Sequence, residues 1–165
     1  MRKIINIKSK DAVNDLNLFK NKHYYSLDIR FDNVHLCELN KKVRKKIFQK
    51  NNLFINSTTL YEIMQPLGLS GSHNYHGLLA EDILNALNSL IDPKFILVSK
   101  NNRYLIIPTK TSSFGISLMV VIETGAGLVD DRKACINKIV TIYPKSDIDE
   151  FLMKFNIKDI LFIKK

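Results

Sequence analysis

Three apolar runs, residues 103–109, 116–124 and 135–143, follow one another with short links. Each is rich in β-branched residues and bounded by turn formers, which is the pattern of strands. Parallel neighbours need a crossover of a dozen residues or more, so these links favour antiparallel pairing. Residues 112–115 separate the first two runs. Gly125-Ala126-Gly127 and the charged residues 130–133 are expected to separate the last two. Near the end of the third run Thr141, Tyr143 and Lys145 alternate, so all three are expected on one face. A hydroxyl, a phenol and an ammonium at one strand end suit a phosphate.

The chain has 165 residues, enough for one domain or one domain with an N-terminal extension. A net charge of +9 and a pI near 9.5 fit a polyanionic partner: nucleic acid, an acidic protein or an anionic surface. The bland reading of the lysines is a soluble basic protein. Cys37 and Cys135 are isolated and lack metal-ligand spacing, so a reduced, cytoplasmic compartment is expected. No apolar run approaches the roughly 20 residues of a membrane span, so no membrane association is expected. The first residues lack the long apolar core of a signal peptide.

Residues 11–19 carry a short helical pattern. Residues 23–31 alternate as a strand, Asp32-Asn33 makes a turn, and residues 34–37 are expected to return as its hairpin partner. Residues 38–50 read as an amphipathic helix with Leu39, Val43 and Ile47 on one side. Lys41, Lys42, Arg44, Lys45, Lys46 and Lys50 form the densest positive segment. That face is either merely solvated or a contact for an RNA backbone or an acidic inhibitor. Ser57, Thr58 or Thr59 is expected to cap a helix over 60–64, with Thr59 and Glu62 at capping-box spacing. Residues 70–77 read as a polar loop. Residues 78–90 read as a helix with Glu81 and Asp82 in its first turn, where the helix dipole favours acids. A strand over 95–99 and a tight turn at Asn101-Asn102 lead into the three central runs. Residues 146–155, capped by Ser146, read as a helix with Phe151, Leu152 and Phe155 facing inward. A strand over 159–163 ends the chain.

Taken in order, certain short motifs resemble a known group. They are Leu60-Tyr61-Glu62-Ile63, His76-Gly77-Leu78, Leu90-Ile91-Asp92-Pro93-Lys94, Ser99, and residues 137–145 ending Thr141-Ile142-Tyr143-Pro144-Lys145. The set resembles the C-terminal domain of phage Mu F-type head-morphogenesis proteins. It is also similar to phage-borne toxin domains of the barnase/EndoU/colicin/RelE-like ribonuclease superfamily. The likeness covers roughly residues 54–163. It implies an α+β fold with N-terminal helices packed on a four- to five-stranded, mainly antiparallel sheet. It assigns 54–165 to a ribonuclease-like toxin domain and leaves 1–53 as an N-terminal extension, or as part of the same domain. It further implies a metal-independent endoribonuclease toxin that needs no cofactor and is restrained by a cognate acidic inhibitor, an antitoxin or immunity protein. A catalytically silent RNA- or protein-binding module of the same fold is the alternative.

His76 is the candidate general acid or base, because imidazole titrates near neutral pH; His73, three residues earlier, is the alternative. Equally, either is a plain loop histidine. Thr141 suits a phosphate oxygen, Tyr143 the scissile phosphate or a base, and Lys145 the charge of the transition state. In strands, threonine and tyrosine are also ordinary strand formers and core closers. Ser99, Arg103, Lys94, Lys45 and Lys46 are candidate RNA contacts, or surface polar groups. Glu123 ends a strand and is a possible base that no matched motif supports. The implied reaction is attack of an RNA 2′-hydroxyl on the adjacent phosphate. A single histidine is few for two proton transfers, so either Tyr143 or Lys145 is expected to supply the second, or electrostatic stabilisation is expected to carry most of the rate.

Overall fold

A computed structural model describes residues 3–20, 34–38, 52–68, 73–90, 92–101, 103–127 and 135–164. Within these, the β-branched runs become strands of one mixed sheet. The strands are β1 (Lys3–Ile4), β2 (Val34–Glu38), β3 (Asn52–Ile55), β4 (Pro93–Ser99), β5 (Arg103–Pro108), β6 (Leu118–Gly127), β7 (Cys135–Pro144) and β8 (Ile160–Ile163). Their order is β1-β2-β3-β7-β6-β5-β4-β8. Only β1–β2 and β3–β7 pair in parallel, so the sheet is mainly antiparallel. It is wider than the four to five strands expected. β2 matches the strand expected over 34–37, whereas β1 and β3, of two and four residues, carry little periodicity to read.

The α+β class holds: α1 (Ala12–Asn17), α2 (Ser57–Met64) and α3 (Ala80–Ser89) cover one face of the sheet, and α4 (Ile148–Leu152) lies on the other. On the first face Leu16, Phe19, Leu60, Ile63, Ile83 and Leu87 pack on Leu53, Ile55, Val120, Ile122, Ile139 and Ile142. On the second, Phe151, Leu152 and Phe155 pack on Leu97, Leu105, Ile107, Met119, Val121 and Tyr143. Each fully buried aliphatic side chain stabilises by about 1.5–3 kcal/mol before entropy is counted. β3 spans the boundary drawn at 53/54 and joins β2 to β7. The described part of 1–53 also shares the first core through Ile5, Ile7, Leu16 and Phe19. β2 pairs with β1 and β3. The strand read over 23–31 and the helix over 38–50 lie outside the described residues, apart from Glu38, which ends β2.

Two β-bulges shape the long pair β6–β7. Gly125-Ala126-Gly127 is not a turn between strands but the end of β6. The register shifts between Thr124 and Ala126, with Gly125 at φ 74. A glycine in the left-handed region is what such a bulge requires. The second shift has Val121 opposite Thr141 and Ile122 opposite Ile139, which leaves Val140 as the extra residue. Alternation is therefore reset: Ile139 and Ile142 both enter the first core, while Val140, Thr141 and Tyr143 belong to the second face.

Helix ends also differ from expectation. α2 is capped by Asn56, whose Oδ1 accepts from the Thr58 N–H at 2.8 Å. Asn56 keeps the extended backbone of β3, and Ser57 is already helical and buried, so neither Ser57 nor the Thr59–Glu62 pair forms the cap. α4 is shorter than residues 146–155, and Asp147, at φ 54, replaces Ser146 at its start. Aspartate tolerates that left-handed conformation better than most residues do. Asp82 does more than favour a helix dipole. It is 1% exposed, and its two oxygens accept the Leu79 N–H at 3.1 Å and the Ser113 N–H at 2.6 Å. The carboxylate thus ties the start of α3 to the β5–β6 turn.

Replacing Asp82 with alanine leaves two backbone donors unsatisfied where water is scarce. Urea unfolding of Asp82→Ala is expected to show a loss of about 2–4 kcal/mol, with Asp82→Asn losing less. A loss below about 0.5 kcal/mol would contradict the anchoring role.

Candidate active site

The position of the site follows from where β3 ends. Ile55 pairs with Ile139, after which the chain turns through Asn56 into α2. β3 therefore does not accompany β7 past its bulge. The loop ahead of α3 is latched to the last turn of α2: the Gly77 N–H donates to the Gln65 carbonyl at 2.7 Å and the Leu78 N–H to the Ile63 carbonyl at 3.0 Å. Gln65, itself buried, donates from Nε2 to the carbonyls of Lys20 and Tyr61. Gly77 has φ 65, a conformation that strains any residue with a Cβ. The neighbour so held is His76.

His76 Nε2 lies 3.2 Å from Thr141 Oγ1, and its ring centroid is 5.7 Å from that of Tyr143 at a 40° tilt. The tautomer decides which of His76 and Thr141 donates. The Tyr143 hydroxyl donates to Met119 Sδ at 3.0 Å. All three side chains are partly buried. Burial lowers the His76 pKa from its ordinary 6.5 and raises that of Tyr143 from 10.0, because it disfavours the charged form of each. At neutral pH the pair is therefore an uncharged imidazole, competent to accept a proton, beside an intact phenol. His73 is exposed.

Lys145 follows directly. Its N–H donates to the Ser117 carbonyl at 2.7 Å and its ammonium lies 5.0 Å from the Phe151 ring centroid. With Ile116, Ser117, Asp147 and Glu150 it lines an open depression of about 540 Å³. The remaining candidates stand farther off. Arg103 and Ser99 pair across the β4–β5 turn, and Arg103 Nε makes an ion pair with Glu123 Oε2 at 3.2 Å. That pair is half exposed, so it stabilises the fold by no more than about 1 kcal/mol. The register aligns Lys138, Glu123, Arg103 and Ser99 across β7-β6-β5-β4. This polar row lies two residues along β6 from the Val121–Thr141 pairing, about 7 Å. Lys138 lies in the matched stretch 137–145, which assigns it no role; its place in the row shows itself only through pairing. Lys94 is not brought to His76: it lies on β4, near the opposite edge of the sheet, with its ammonium 5.6 Å from the Phe95 centroid. Lys45 and Lys46 lie outside the described residues.

Comparison with protein-family models, with curated proteins and with solved structures gives no match. No helix among the described residues is long and apolar enough to cross a membrane. Nor do three or more His, Cys, Asp or Glu side chains gather among them in a way that would hold a metal ion.

The environment of His76 is open to direct measurement. In an NMR titration its imidazole is expected to change charge below pH 6.5, and to move toward 6.5 in a Tyr143→Ala variant that admits water. A midpoint at or above 6.5 in the wild-type chain would contradict the burial argument.

Proposed function

We propose that this chain is a metal-independent endoribonuclease of the toxin type, a relative of the barnase/EndoU/colicin/RelE-like domains, acting on RNA, tRNA included, in the cytoplasm. The observation that carries the reading is the convergence of His76, Thr141 and Tyr143, which come from a loop and a strand 65 residues apart in the chain. The uncharged His76 takes the proton of a 2′-hydroxyl, and that oxygen attacks the adjacent phosphorus. Thr141 donates to a non-bridging oxygen, and Lys145 offsets the added negative charge. The phenol of Tyr143, which burial keeps protonated, gives its proton to the departing 5′-oxygen. The bond from phosphorus to that oxygen breaks and a 2′,3′-cyclic phosphate remains. The row of Lys138, Arg103 and Ser99 continues the same face and suits the flanking backbone of the strand. A basic chain that cuts cellular RNA calls for restraint, and an acidic inhibitor protein fits its charge of +9.

One observation favours the silent binding module instead. The Tyr143 hydroxyl is engaged with Met119 and the Lys145 ammonium rests on Phe151, so both must turn before they act.

The two readings part in an RNA-cleavage assay in EDTA. Wild-type protein is expected to cut, and His76→Ala is expected to lose about 10²–10⁴-fold in rate. Tyr143→Phe is expected to slow cleavage of ordinary RNA and to recover on RNA with a 5′-bridging sulfur, whose departure needs no acid. Salt-dependent binding without cutting would support the module.

The acidic limb of the rate profile is expected to follow His76. Rate rises with pH as the imidazole loses its proton, with a midpoint below 6.5 because burial lowers that pKa. A limb centred above 6.5, or one unchanged by removal of His76 in the residual activity, would contradict the base role.

A further inference from the structure

Phe114 is 78% exposed at the tip of the β5–β6 turn. A lone exposed phenylalanine needs no explanation, but this one is displayed by a turn with unusual internal bonding. Thr111 bridges to Ser117, the Ser112 N–H donates to the Ile116 carbonyl at 2.8 Å, and the Gly115 N–H donates to the Ser112 carbonyl at 2.9 Å. The Ile116 N–H donates to Ser112 Oγ at 3.2 Å. From outside the turn, the buried Asp82 holds the Ser113 N–H and, with its other oxygen, the Leu79 N–H. A buried carboxylate therefore fixes the residue preceding Phe114. The same corner exposes Leu79 and Ile116 at 41% and 40%.

The turn also adjoins the candidate site. Ile116 and Ser117 wall the depression that Lys145 lines, and Lys145 is two residues beyond Tyr143. Asp147, Asp149 and Glu150 also line that depression. Lys145 is the group there for phosphate, whereas the ring of Phe114 carries no charge and suits the neutral base. Aromatic rings bind single-stranded RNA through their faces and tolerate every base.

We propose that Phe114 is a stacking platform for a nucleobase of a bound RNA strand, neighbouring the phosphate held at His76, Thr141 and Tyr143. This rests on the ribonuclease reading and adds a subsite to it. The bonded turn fixes the backbone that carries the ring, so binding loses little conformational entropy in the loop.

The chain contains no tryptophan, so Phe114→Trp introduces a sole tryptophan, excited selectively beyond the absorption of the tyrosines. Its emission is expected to fall on titration with a short RNA made uncleavable by 2′-deoxy substitution. It is expected to stay unchanged with an abasic oligonucleotide of equal length and charge at equal occupancy, read by anisotropy of an end label. Phe114→Ala is expected to weaken binding of the base-bearing strand about 5- to 150-fold, the range for loss of one base–aromatic stack, and to leave the abasic strand unaffected. Equal affinity of Phe114→Ala and wild type for the base-bearing strand would overturn the platform. An equal response of the tryptophan to both strands would do the same. If RNA is cut in EDTA while these results appear, only the platform falls. If wild type neither binds nor cuts RNA, the ribonuclease reading falls with it. Loss of a co-purifying protein from Phe114→Ala, with RNA affinity intact, would assign the ring to a protein contact and overturn the proposal.

Discussion

The extra residue at Val140 decides the character of β7. In an unbroken strand Ile139, Thr141 and Tyr143 would share one face and Val140 and Ile142 the other, so one hydroxyl or one isoleucine would be misplaced. The bulge opposite Val121 puts Ile139 and Ile142 together in the core beneath the helices, and leaves Thr141 with Tyr143 on the opposite side. Both requirements, a closed core and a polar pair, are met by one inserted residue. Bulges recur beside active sites because they re-aim a side chain in this way.

The rest of the site depends on that placement. β3 ends beside Ile139, α2 starts from Asn56, and the latch between Gly77 and Gln65 brings His76 against Thr141. Asp82 then holds the β5–β6 turn against the start of α3, and the Ser117 carbonyl at the end of that turn accepts the Lys145 N–H. Two anchors, one formed by a glutamine backbone and one by a buried carboxylate, thus place loops on either side of the strand end. Such pre-set loops limit the ordering that binding would otherwise require.

The four antiparallel strands from β4 to β7 were legible because each is a β-branched run with turn residues at its ends. α3 was legible from Ile83, Leu87 and Leu90 at helical spacing. Gly125 misled, because a glycine in a bulge and a glycine in a turn look alike until the partner strand is known. α4 was overextended because Asp147, Asp149 and Glu150 imitate a first turn, whereas Asp147 is left-handed. The pairing of β3 with β7 joins residues 84 apart, as Leu53 with Asn137, and no local pattern signals it. For the site, the alternation of Thr141 and Tyr143 was visible, but the bulge that makes it compatible with the core was not. The contact of His76 with Thr141 and the alignment of Lys138 with Arg103 are likewise tertiary facts. The ring of Phe114 left no trace in any motif, since the turn that displays it is held by bonds within the turn at Ser112 and by the Ser113 N–H donating to Asp82.

The chemistry proposed for His76, Thr141 and Tyr143 makes one demand that binding alone does not: a 2′-hydroxyl on the nucleotide 5′ of the broken bond. The most direct measurement is mass spectrometry of the ends formed from a defined RNA and from the same strand with 2′-deoxy nucleotides placed singly along it. Ends bearing a 2′,3′-cyclic phosphate, and cutting abolished only where the adjacent nucleotide lacks its 2′-hydroxyl, are the predicted result. Ends bearing a 3′-hydroxyl and a 5′-phosphate, or cutting indifferent to 2′-deoxy substitution, would contradict the assignment.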